Sequence, residues 1–93
     1  MNNQFNSNER FDTLYKFVHE HSKEEFTFVD STGSSMIAML DTAYETDNGK
    51  DESEEGYEEY LALAFCSKET GKLFEINYHT LPTAVFCNNE QII

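Results

Sequence analysis

The sequence predicts an α+β fold: an N-terminal amphipathic helix followed by a four- to five-stranded antiparallel meander, with curling into a small barrel left open. Three observations carry that prediction. Phe11, Leu14, Tyr15 and Val18 fall at i, i+3, i+4 and i+7, the stripe of a helix with one buried face. From Glu25 onward the apolar residues alternate instead, in short runs rich in Phe, Tyr, Val and Ile. Turn-forming clusters at Asp30-Ser31-Thr32-Gly33-Ser34, Asp47-Asn48-Gly49-Lys50, Lys68-Glu69-Thr70-Gly71 and Asn88-Asn89 separate those runs.

Taken in order, residues 1–5 read as a frayed leader. Asn6 with Glu9 three residues later has the spacing of a capping box, which predicts a helix from Ser7 to His21. Glu25–Val29 alternates and is predicted as a strand. Met36–Tyr44 fits two periods. As a strand, Met36, Ala38, Leu40 and Tyr44 share a face; as a helix, Met36, Leu40, Ala43 and Tyr44 do. The bracketing Gly33 and Gly49, and the apolar run that follows, favour the strand; the helix stays as the alternative. Tyr57–Ser67 is apolar on both faces, as a central strand is. Lys72–Thr80 alternates with Phe74, Ile76 and Tyr78 inward and Glu75, Asn77 and His79 outward, until Pro82 removes a ladder donor. Ala84–Cys87 is predicted as a short edge strand, and Ile92-Ile93 closes the chain. No repeat or linker interrupts the sequence, so 1–93 is predicted as one domain with an acidic loop over 45–58.

Composition narrows the function. Eight Phe and five Tyr supply enough apolar area for a core, unlike a disordered acidic tail. The net charge of −12 disfavours nucleic acid and anionic membrane as direct partners and favours a basic protein. Cys66 and Cys87 lie in or beside apolar runs and read as buried free thiols, with a disulfide between them as the alternative. The polar start MNNQFNSNER carries no leader-like apolar stretch, and no run is long enough to cross a bilayer, so the expected compartment is the cytoplasm.

The charge is concentrated in Asp41–Glu59, which holds nine of the 18 acids and one cation, Lys50. No calcium site is predicted there. With Gly49 at the glycine position of an EF-hand loop, Tyr44 and Thr46 fall where the first ligands belong; with Gly56 there, Ala62 falls where the closing carboxylate belongs. His19, His21, His79, Cys66 and Cys87 lack the spacing of a zinc site. No nucleophile elbow or phosphate loop is present, and solvated carboxylates lack the burial that tunes acid–base catalysts. No catalytic residue, metal or cofactor is predicted, and the chain is read as a non-enzyme.

What remains is a binding surface. Glu45, Asp47, Asp51, Glu52, Glu54, Glu55, Glu58 and Glu59 are predicted to meet a basic protein, with Tyr44, Tyr57 and Tyr60 as flanking anchors. Thr42-Ala43-Tyr44-Glu45, followed by an Asp/Glu-dense loop and a strand, resembles the strand end and acidic hairpin of uracil-DNA glycosylase inhibitor. In type, the chain is similar to small acidic inhibitors of phages and mobile elements, including anti-CRISPR proteins and other DNA mimics. That resemblance implies a nucleic-acid-binding enzyme or effector as partner. The glycosylase inhibitors also use a Glu-Ser pair near their N-terminal half; here the only Glu-Ser is Glu52-Ser53, inside the loop, a departure from that pattern. The alternative reading is a small regulatory or structural module that binds through a sheet edge, its acidity serving solubility.

Overall fold

The structure, a computed structural model, describes residues 6–93; the predicted frayed leader, 1–5, lies outside the described residues. One helix, α1 (Glu9–Glu20), precedes six strands: β1 (Glu25–Val29), β2 (Ser35–Asp47), β3 (Glu59–Ser67), β4 (Leu73–Ile76), β5 (Ala84–Cys87) and β6 (Glu90–Gln91). All pair antiparallel in one open sheet of order β4-β3-β2-β1-β5-β6. The α+β class holds, and the sheet does not close into a barrel.

The helix starts later than the capping-box spacing predicts. Asn8 is the N-cap, its side chain accepting from the Phe11 N–H at 2.8 Å, while Asn6 pairs with the sheet beside Tyr60. Phe11, Leu14 and Val18 are buried as the stripe requires, and Tyr15 packs at the margin. They cover Phe26, Phe28, Ala38, Leu63, Phe65, Ile76 and Val85. Phe28, Phe65 and Phe74 meet ring to ring, Phe28–Phe65 at 4.7 Å between centroids. Each such aromatic buries enough area to matter in a core this small.

Four details depart from prediction. Met36–Tyr44 is strand, but an extra residue between Leu40 and Thr42 bulges it, so Tyr44 leaves the face of Ala38 and Leu40. Strand β4 stops at Ile76, because the Thr80 hydroxyl accepts from the Asn77 N–H and the Asn77 side chain accepts from the His79 N–H, closing a turn in which Asn77 is buried. The meander ends there: 77–83 crosses back, and β5 pairs with β1 on the far side. Ala84–Cys87 is therefore not an edge, since β6 follows it through Asn88-Asn89, both at positive φ as a tight hairpin turn requires. Cys66 and Cys87 are free thiols.

Candidate functional site

Beyond Met39, β2 outruns β1, and beyond Leu63, β3 outruns β4. The result is a two-stranded ribbon, Tyr44–Asp47 against Glu59–Ala62, projecting from the sheet and ending in the acidic segment. The molecule is correspondingly long, 42 × 29 × 24 Å. Glu45 and Asp47 sit in the strand rather than in the loop, and the connection proper spans 48–58.

That connection folds on itself through local hydrogen bonds. The Asp47 carboxylate accepts from the Gly49 N–H at 2.8 Å, and the Asn48 side chain donates to the Gly56 carbonyl at 2.8 Å. Asp51 accepts from Ser53, and Glu54 accepts from the Asp51 N–H at 2.7 Å. Asn and Asp favour such turns because their short side chains reach the backbone two residues on. The Lys50 ammonium donates to the Glu55 carbonyl at 3.2 Å. Gly56, at φ +85°, holds the backbone over that ammonium, where a Cβ would stand 2.9 Å from Nζ.

The predicted residues fall into three groups. Glu45, Glu52 and Glu55 are exposed, and among the described residues their carboxylates accept no hydrogen bond. Asp47, Asp51 and Glu54 are exposed and also stiffen the loop. Glu58 and Glu59 are half-buried and tied into the fold. Tyr57 donates to Glu59 at 2.7 Å; Tyr78 donates to Glu58 at 2.8 Å, and His79 Nε2 lies 2.9 Å from the same oxygen. Tyr44 is exposed and Tyr57 half-buried, whereas Tyr60 is only 8% exposed. Tyr60 does not stand out as an anchor: its hydroxyl donates to the Asp47 carbonyl at 3.2 Å and its ring packs edge-on against Tyr78 and His79.

These contacts set the titration behaviour. Tyr44, donating to Glu75, is pushed up to about 12, chiefly by that hydrogen bond, and Tyr57 to about 12 by its bond to Glu59. Glu58 is held below its ordinary value, first by His79 and then by Tyr78. Glu75, Tyr78 and His79 were not among the predicted site residues. They read as alternating strand positions, and only the turn at Asn77 brings Tyr78 and His79 under Glu58.

Among the described residues the ion pairs are Lys68–Glu25 at 2.6 Å and His79–Glu58 at 2.9 Å. No described Lys or Arg pairs with an acid of 45–59. No described group of three or more His, Cys, Asp or Glu is placed to hold a metal ion.

A family model described as cognate immunity protein YxxD matches residues 9–70, or 62 of the 93 residues. The match covers α1, β1, the β2–β3 ribbon and its acidic end, and stops before β4. The chain matches no curated protein and no solved structure. With two thirds of its length under that model, the chain belongs to the cognate immunity protein YxxD family.

Proposed function

We propose that this protein neutralises a toxin by binding it through the acidic end of the β2–β3 ribbon, without catalysis, and that the toxin is a cationic nucleic-acid-binding protein. Family membership supports an inhibitor that binds a cognate partner. The observation that carries the finer reading is the set of uncompensated carboxylates, Glu45, Asp47, Asp51, Glu52, Glu54 and Glu55, projected by a ribbon whose neighbouring acids are already satisfied by tyrosines. Charges so displayed steer a basic partner and occupy a groove shaped for phosphates, as a DNA mimic does. The free cysteines suit a reducing compartment, and the cytoplasm is where this reading places the protein.

The test is the toxin that co-purifies with the chain, measured at several salt concentrations. Affinity should fall steeply with salt. The variant Glu45→Gln/Glu52→Gln/Glu55→Gln takes the net charge from −12 to −9 without removing a hydrogen bond seen in the structure. Its association rate should drop by about tenfold, with thermal unfolding unchanged. Equal association rates with and without those three charges would overturn the proposal.

A further inference from the structure

The ribbon has an open side. Strand β1 reaches only Glu25, opposite Met39, and no described residue pairs with Leu40–Asp47 on the side away from β3. Which backbone groups point outward follows from alternation along a strand. The Asn48 N–H donates to the Glu58 carbonyl at 3.3 Å, so Asn48 faces β3, as do Thr46, Tyr44 and Thr42. Asp47, Glu45 and Ala43 therefore face away. From the other strand, Glu59 agrees: its carbonyl accepts from the Asn6 N–H at 2.8 Å, away from β2. The Asp47 carbonyl is taken by Tyr60, and the Ala43 carbonyl has only a 3.5 Å contact from Thr42 Oγ1. Among the described residues, none accepts from the N–H groups of Ala43, Glu45 and Asp47 or donates to the Glu45 carbonyl.

We propose that this edge receives an extended strand of the partner by main-chain pairing, the strand carrying Lys or Arg at alternate positions. Charge complementarity selects that occupant. A strand laid along the edge sets side chains opposite Ala43, Glu45 and Asp47 on the helix side of the ribbon, so cations at alternate positions meet Glu45 and Asp47. On the other face, Thr42, Tyr44 and Thr46 accept neutral or apolar residues. A second copy of this chain is disfavoured, because its own edge would bring like carboxylates together. Leu61, the cross-strand partner of Glu45, also walls a groove with Tyr15, Lys16 and His19, room for one side chain of the incoming strand. The inference rests on the acidic-surface reading and adds to it a geometry: backbone pairing at a defined register.

The probe is a synthetic peptide of alternating Lys and Val, compared with the same peptide N-methylated along its backbone, which keeps the charge, loses every main-chain donor and sets methyl groups along the pairing edge. The expected result is binding of the first at least about tenfold tighter than the second, with the Ala43 and Glu45 amides newly protected from hydrogen exchange. Ala43→Pro removes an outward donor and no bond to β3. It should weaken the first peptide similarly while leaving the fold intact. Equal, salt-sensitive binding of both peptides would overturn the edge and leave the acidic surface standing. Salt-insensitive binding that still protects Ala43 would keep the edge and overturn the charge reading. Failure of the unmethylated peptide to bind would overturn the edge.

Discussion

Tyrosine hydroxyls at this ribbon divide its carboxylates into those the fold uses and those it offers. Glu58, Glu59 and Glu75 each accept from a tyrosine; Glu45, Glu52 and Glu55 do not. The pairs leave a titration signature. Tyr44 and Tyr57 titrate near 12 against an ordinary 10.0, so the folded state holds their protons more tightly than the unfolded chain does. Stability from these pairs is therefore complete below pH 10 and lost as pH rises through 12. Burial raises Tyr60 and Tyr78 as well, so tyrosinate absorbance should show a late-titrating group that includes Tyr44 and Tyr57, and Tyr44→Phe should remove one of its members. Glu58 has the opposite sign. Its folded pKa lies below 4.5, so its contribution holds above that pH and fades as pH falls below it. Glu58→Gln should flatten the acid limb of a stability–pH profile while leaving the neutral plateau lower, since Tyr78 and His79 lose a charged acceptor. None of these assignments could be read from spacing. Nine acids and three flanking tyrosines were visible, but that Tyr44 takes Glu75 depends on the bulge at Asp41, and that Tyr78 takes Glu58 depends on the turn at Asn77.

Individual elements were legible where local chemistry and burial agree. The stripe Phe11-Leu14-Val18 and the alternation of Glu25–Val29 map directly onto buried positions. The strand reading of Met36–Tyr44 was right although both periods fitted, because the decisive partner, β3, lies next in sequence. Helix entry was misplaced by two residues: Asn6 and Asn8 are both competent caps, and only the sheet contact of Asn6 decides between them. Asn8→Ala should cost about 1 kcal/mol in chemical denaturation, the loss typical of an N-cap. In the loop, Gly56→Ala combines a positive φ with crowding of the Lys50 ammonium, which can swing aside. The backbone term dominates, so a loss of about 1–2 kcal/mol is expected, with Lys50 released from the Glu55 carbonyl.

The whole molecule shows where sequence reading ends. The number and kind of elements follow from pattern; the order β4-β3-β2-β1-β5-β6 does not, because β5 pairs with β1 across more than fifty residues of chain. Strand β6 was invisible for another reason: Glu90-Gln91 is polar and two residues long, held by its turn rather than its composition. Arg10 fastens the crossing connection by donating to the Pro82 and Thr83 carbonyls, at 3.3 and 2.9 Å, joining the start of α1 to the entry of β5. Phe65 lies where both sides of the sheet converge, fully buried against Phe26, Phe28 and Phe74. Phe65→Ala should cost about 3–5 kcal/mol, enough to compromise a domain of this size.

The irregularity at Asp41 works as a joint. It lets the outer half of β2 keep its pairing with β3 while the ribbon leaves the sheet at its own bearing. Deleting Thr42 would keep the charge at −12 and leave Ala43 opposite Leu63, yet straighten the joint and swing the acidic tip elsewhere. Weaker capture of the partner at an unchanged salt slope would then measure what aim alone contributes, apart from how much charge is carried.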